Sequence, residues 1–238
     1  MNPGLHEQLI ALGLAAGAEH GFALAGGYAV QAHRIVTRLS DDVDLFTSWD
    51  RRDEVAAATE HIVAAYRRHG FRVTVADDTG AYVRLLVNAA DTADDPDQAV
   101  KVELVADIRL HPPVQMAVGP VLHRDDDIAA GKMSALFSRA AARDYIDVAA
   151  LVAGGHYTRD ELLDLVAERD AGFDRAVFAQ MLAGIHRYKD EDFLRYGIDH
   201  DTLRRTRAQI TAWHDHLTGH TARPSHPAPP AQRPVGGP

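Results

Sequence analysis

The chain has 238 residues, 46% of them apolar, enough for one substantial domain or two small ones with a buried core, and this excludes a fibre or an unfolded polymer. It carries 25 basic against 34 acidic residues, a formal charge of −9, which argues against affinity for nucleic acid through bulk charge. The absence of cysteine rules out disulfides and thiolate zinc sites and fits a reducing, cytoplasmic setting. The first twenty residues lack a leading Lys or Arg and contain Glu7 and Glu19, so they read as an amphipathic helix and not as a signal peptide. No run reaches the ~20 apolar residues of a membrane span.

In chain order, Leu5, Leu9, Leu12 and Leu14 predict a first helix, and Phe22 to Ala25 a short buried strand. A short helix is expected from about Tyr28, a strand over Asp42 to Phe46, and a helix over Asp53 to Arg68 that Gly70 ends. Phe71 to Val75 and Ala81 to Val87, separated by Asp77-Asp78-Thr79-Gly80, predict a hairpin. A polar loop at 91 to 98 leads to a strand over Val100 to Asp107. The stretch HPPVQMAVGPVL holds four breakers and reads as a crossover without regular structure. From Asp125 onward the pattern is helical: 125–140, 142–152, 158–168, 173–182 and 200–217. The Pro-rich end has nothing to bury and is expected to be disordered. The expected organisation is a catalytic α+β core at 1–110, a helical domain at 121–217 completing the site, and a tail at 218–238.

The chemistry concentrates in GGYAVQAHRIVTRLSDDVDLF, residues 26 to 46. Residues i and i+2 of a strand project from one face ~6.5–7 Å apart. Asp42 and Asp44 thus offer oxygens to Mg²⁺ (or Mn²⁺) while Val43 and Leu45 face the core. Gly26 and Gly27, without Cβ atoms, let the backbone approach a phosphate at the start of a helix. Asp41 reads as a turn or cap residue.

Strand, Gly-Gly, short helix, then Arg38-x-Ser40-x-Asp42-x-Asp44-Leu45 resembles the minimal core of the DNA polymerase β superfamily of nucleotidyltransferases. Within it the form resembles the AbiEii/AbiGii toxin family. A second part of the resemblance is Lys132-x-x-Ala135-Leu136-x-x-Arg139 followed by Arg143-Asp144-x-x-Asp147. The resemblance covers roughly residues 20 to 152. It implies an α+β fold with a small mixed sheet, flanking helices and a C-terminal helical bundle. The implied reaction moves a nucleoside monophosphate from an NTP to an acceptor.

On that resemblance Asp42, Asp44 and a third carboxylate are the metal ligands. The third is Glu103, mid-strand between apolar neighbours in VKVELVAD, as ligand or base; relatives more often carry Asp there. Asp107, at the strand end, reads as the start of a turn. Gly26, Gly27, Arg38, Ser40, Lys132 and Arg139 would position the triphosphate. Lys132 and Arg139, two helical turns apart, share a face. Asp144 is placed with the nucleotide or, with Asp147, as an orienter of the cations; the competing reading for Arg143 and Asp147 is an internal ion-pair network. The implied partners are NTP, a tRNA 3′ end or a protein as acceptor, and a cognate antitoxin, with no membrane. Two alternatives stay open: a small-molecule acceptor of the aminoglycoside kind, and a non-catalytic NTP-binding module.

Other residues carry plainer expectations. Arg34, Arg51 and Arg52, and Arg204, Arg205 and Arg207, are candidates for phosphate contacts or solvated surface. His214, His216 and His220 have helical spacing that can bind zinc but read as surface histidines. His33 and His111 read as hydrogen-bonded structural groups and Tyr28 as packing at the strand-helix turn.

Overall fold

The computed structural model describes residues 3–89, 98–124 and 128–219. Helix α1 (Pro3–Ala16) and a 3₁₀ turn (Ala18–His20) lead into the short strand β1 (Ala23–Leu24), and helix α2 (Gly26–Ala32) follows at once. Strand β2 (Asp42–Ser48), a 3₁₀ turn (Trp49–Glu54) and helix α3 (Val55–Arg68) come next. The hairpin β3 (Arg72–Asp78) and β4 (Tyr82–Asn88) precedes β5 (Val100–Asp107). This part of the sheet runs β3-β4-β5-β2-β1 and is mixed, because β5 lies parallel to β2 while β1 is antiparallel to β2 and β4 to both its neighbours.

The expected crossover after Asp107 is a correction. Val114–Met116 (β6) and Gly119–Val121 (β7) form an antiparallel pair, and β7 adds to the sheet in parallel beside β1. Pro120 is tolerated because β7 is only three residues long and meets β1 at Val121 alone. The sheet therefore extends past the boundary set at residue 110, and Leu122 still donates its N–H to the Leu24 carbonyl.

Beyond it lie α4 (Ala129–Ser138), α5 (Ala142–Ala153), α6 (Arg159–Arg169), α7 (Arg175–Ala183), α8 (Asp190–Leu194) and α9 (His200–Thr218). The acids at 125–127, the polar loop at 90–97 and the tail from His220 lie outside the described residues. Among those described, no helix is long and apolar enough to cross a membrane.

Alternation fixes the faces of the two central strands. Val43, Leu45 and Thr47 of β2, and Val102, Leu104 and Ala106 of β5, are buried, while the intervening residues are less so. The buried set joins α1 and α3 in one apolar core, with the Tyr66 hydroxyl donating to the Leu9 carbonyl at 2.9 Å. A second core within the helical half is built around Tyr145, Leu162, Phe178 and Trp213. Ile35 and Val36, in the link between α2 and β2, pack against both.

That link starts from a strained turn. Arg34 N–H reaches the Gln31 carbonyl and Ile35 N–H the Val30 carbonyl, the paired bonds of a Schellman motif, and Arg34 takes φ of 58°. The left-handed region costs a non-glycine residue roughly 1–2 kcal/mol. Arg34 is exposed, so its side chain recovers little of that by packing. Arg34→Gly is accordingly expected to raise unfolding free energy by about 1 kcal/mol, read as a higher urea midpoint at unchanged slope.

Candidate active site

Strand register brings three carboxylates to one place. Asp44 of β2 stands opposite Glu103 of β5, and Asp42 lies on the same β2 face as Asp44. Glu103 Oε1 accepts from the Tyr82 hydroxyl at 3.0 Å and from Arg84 at 2.9 and 3.2 Å, both residues of β4. Asp42 Oδ2 accepts from Arg143 of α5 at 3.1 Å. The carboxylate of Asp44, partly buried between them, has no hydrogen-bond donor among the described residues, while the Asp44 carbonyl accepts the Ala25 N–H at 2.9 Å. Its carboxyl is pushed up to about 6 by burial first and by the Glu103 charge second, with Lys132 pulling the other way. Tyr82 is also pushed up to about 12, by burial and by the same Glu103 charge.

The glycines are required by contact as well as by conformation. Gly26 has φ of +57°, and a Cβ there would stand 1.7 Å from Asp44 Oδ2. A Cβ on Gly27 would meet Ser40 Oγ at 2.4 Å. The first substitution collides with the Asp44 carboxylate, the second with Ser40 and the Arg38 guanidinium. α2 begins at Gly26, two residues before the expected start at Tyr28, so both glycines belong to its first turn.

Across a cavity of about 650 Å³ stand the cations of the helical half. The size falls in the range of roughly 300–1,000 Å³ usual for pockets that enclose small ligands. Gly26, Gly27, Asp42, Asp44, Glu103, Lys132, Arg139 and Arg143 all line it. Lys132 is largely buried and lies 2.9 Å from Asp147 Oδ2. The same carboxylate takes the fork of Arg38 at 2.5 and 2.7 Å, while Arg38 Nη1 donates to the Leu39 carbonyl. Asp147 is fully buried; burial alone pushes its carboxyl up, but Lys132 and Arg38 outweigh it and hold it below the usual range.

Several expected roles change on this geometry. Arg38 lines the cavity, but its fork is taken up by Asp147, so the guanidinium orients a carboxylate instead of lying open to a triphosphate. Ser40 donates to the Asp42 carbonyl at 3.2 Å and so shapes the entry to β2. Asp144 does not reach the cavity. It is fully buried, holds Arg139 through two 3.0 Å bonds, and accepts the Ala141 N–H at the start of α5, where a free N–H needs a partner. Arg139 itself lies one residue past α4, whose last residue is Ser138, so it shares the cavity with Lys132 but not the helix.

Sequence reasoning weighed Arg143 between the family motif and an internal ion-pair network without placing it beside the carboxylates, yet it contacts the candidate metal ligand Asp42. It also missed Arg84 and Tyr82; the cue was an Arg on an alternating strand beside the one carrying Glu103. Asp107 does start a turn through its own Ile108 N–H, but it also pairs with Arg169 of α6 at the far end of the cavity. The plainer expectations match what the structure places there. His33 bonds the Leu122 carbonyl, His111 stacks on His123, and Tyr28 bonds His6. Arg204, Arg205 and Arg207 each bond a neighbouring side chain, Asp201, Thr202 and Asp190 in turn. His214 pairs with Asp215 and His220 lies outside the described residues.

Residues 12–228 match the family described as nucleotidyl transferase AbiEii toxin, type IV toxin-antitoxin system. The fold is similar to that of JHP933 from Helicobacter pylori, at 16% identity and TM-score 0.56 over 91% of this chain and 93% of that one. A putative nucleotidyltransferase from H. pylori gives 17% and 0.56, covering 94% of this chain and 100% of its own. MenT4, a nucleotidyltransferase toxin of Mycobacterium tuberculosis, gives 18% and 0.51, covering 92% and 84%. No curated protein matches the chain in sequence.

Two stability predictions arise from the site. Asp147→Ala leaves two buried cations without a counter-charge, and a loss of about 3–5 kcal/mol is expected in chemical denaturation. Asp44 behaves in the opposite sense. Its folded pKa lies above the unfolded ~3.9, so ionisation costs stability, with none of that cost below pH 4 and all of it above pH 6. In metal-free protein Asp44→Asn is therefore expected to melt higher than wild type at pH 7.5, and the difference is expected to shrink to nothing near pH 4.

Proposed function

We propose that this chain, which belongs to the family of AbiEii nucleotidyltransferase toxins, transfers a nucleoside monophosphate over Asp42, Asp44 and Glu103 to the 3′ end of a tRNA. The observation that carries the placement is Asp44: a carboxylate set between two others, without a hydrogen-bond donor, with Gly26 against it and Lys132 across the cavity. Three carboxylates lining one cavity without enough protein cations suit a hard divalent ion such as Mg²⁺ or Mn²⁺. When bound, such an ion neutralises phosphate charge and the charge of the in-line transition state.

The chain's own residues supply the rest. Lys132 offers a point charge to the phosphates, and Asp147 with Arg38 behind it keeps the ammonium aimed into the cavity. Arg139, held by Asp144, offers the remaining edge of its fork. Gly26 and Gly27 admit the phosphates close to the backbone. Arg143 occupies one oxygen of Asp42, so the other would be free to hold an ion. The side-chain donors to Glu103 all fall on Oε1, so Oε2 would be the atom to help hold the ion or to accept the proton of the acceptor hydroxyl. The type IV toxin-antitoxin class of the family supports a cognate antitoxin as partner.

The test is label transfer from each α-labelled NTP to tRNA, cell-extract protein and an aminoglycoside panel. Wild type is expected to label the tRNA fraction. Asp42→Ala and Asp44→Ala are expected to fall to background without melting lower, since neither side chain supports the core. Activity near wild type in both variants overturns the assignment. Label in the aminoglycoside fraction alone moves the acceptor to a small molecule.

A further inference from the structure

A second cluster of ligand-type side chains lies apart from the cavity, where the 3₁₀ turn before β1 meets helix α3. Glu19 and His20 come from that turn and His61 from α3. His20 Nε2 stands 3.2 Å from His61 Nδ1 and 3.4 Å from Glu19 Oε1, and the last two are 2.9 Å apart. Three atoms thus converge on one point.

The proton arrangement around them is constrained by Glu54. Its Oε2 lies 3.0 Å from His20 Nδ1, and its two oxygens also accept from Arg51 at 2.8 Å each. A carboxylate only accepts, so His20 donates from Nδ1 to Glu54, and Nε2 is the ring atom turned to His61 and Glu19.

We propose that Glu19, His20 and His61 form a binding site for a divalent transition-metal ion of the zinc class, separate from the candidate active site. Zinc bonds of ~2.0–2.1 Å in tetrahedral geometry set their ligand atoms about 3.3 Å apart. The observed separations of 2.9 to 3.4 Å already lie around that value. Two imidazoles and a carboxylate are a donor set suited to zinc, and the exposure of Glu19 and His61 leaves a fourth position open to water.

The support behind the ligands is also that of a metal site. A ligating histidine regularly donates its second N–H to a carboxylate, which fixes tautomer and ring orientation, and Glu54 does this for His20. Arg51 spans the arrangement, donating to Glu54 and, at 2.6 Å, to the Glu19 carbonyl. Its guanidinium lies over Gly21, where a Cβ would come within 2.6 Å of Nη1. Thr47 of β2 donates to the His20 carbonyl at 2.7 Å and anchors the turn from below. An ion at this point would fasten the entry of β1 to α3, on the side of the sheet strand opposite the end that leads into Gly26.

The experiment is Zn²⁺ titration of the metal-stripped full chain in excess Mg²⁺, by competition with a chromophoric chelator, with Co²⁺ as spectroscopic probe. One tight Zn²⁺ per chain is expected, with Co²⁺ bands of a four-coordinate nitrogen-oxygen site and a higher Tm. His61→Ala and Glu19→Gln are expected to lose that equivalent together with its Tm rise. Glu54→Gln is expected to weaken it roughly 10–100-fold. His61 is half exposed, and an unchanged Tm of the metal-free variant verifies its fold. Asp44→Ala is expected to keep the tight equivalent, which separates this site from the carboxylates of the cavity. Absence of a stoichiometric equivalent, equal affinity in His61→Ala, or its loss in His216→Ala instead overturns the proposal.

Discussion

The buried ion triad of Arg38, Asp147 and Lys132 is the constraint on which the cavity depends. Arg38 belongs to the link that leads into β2, while Asp147 and Lys132 belong to the helical half. Three charges withdrawn from water are stable only with close geometry and satisfied hydrogen bonds. That requirement fixes the distance between the strand carrying Asp42 and Asp44 and the helices carrying the facing cations. The Leu39 N–H reaching the Tyr196 carbonyl, and the Arg38 guanidinium over the Tyr196 ring, seat the same link on the bundle. Arg143 on Asp42 and Arg169 on Asp107 then close the two ends of the cavity.

Within that frame the carboxylate side is deliberately undersupplied with positive charge. Glu103 has Arg84 and Tyr82, Asp42 has Arg143, and Asp44 has only the more distant pulls of Lys132 and Arg143. A protein built for stability alone would place an amide or an apolar residue at 44. The glycine pressed against its oxygen gives that carboxylate the room that any Cβ at 26 would occupy.

The strands of the catalytic core were legible because alternation reports faces directly: Val43 and Leu45 against Asp42 and Asp44 needed no tertiary knowledge. Glu103 is the mid-strand acid that the family resemblance points to, but its register opposite Asp44 is a fact of the sheet. Partners were not legible. Nothing local distinguishes Arg38, which points to a buried aspartate over a hundred residues away, from Arg139, which stays at the cavity. Asp144 and Asp147 occupy one motif, yet one caps its own helix and the other carries two cations. β6 and β7 escaped because Pro112, Pro113, Gly119 and Pro120 signal irregular backbone, whereas two three-residue strands require little regularity.

The separation along the chain between Arg38 and Asp147, |i−j| of 109, has a consequence for how the molecule assembles. The entropy of closing a loop grows only slowly with length, but it must be met before the contact forms. Strands β2 and β5 can pair within the first half of the chain, whereas the guanidinium four residues before Asp42 has no counter-ion until α5 docks. A fragment ending before Asp147 would therefore hold the sheet and both aspartates but keep Arg38 in water, with the preceding link unanchored. The two cores are distinct in their packing, yet they are not separable modules: the part of the chain that carries the carboxylates is completed only by the part synthesised last.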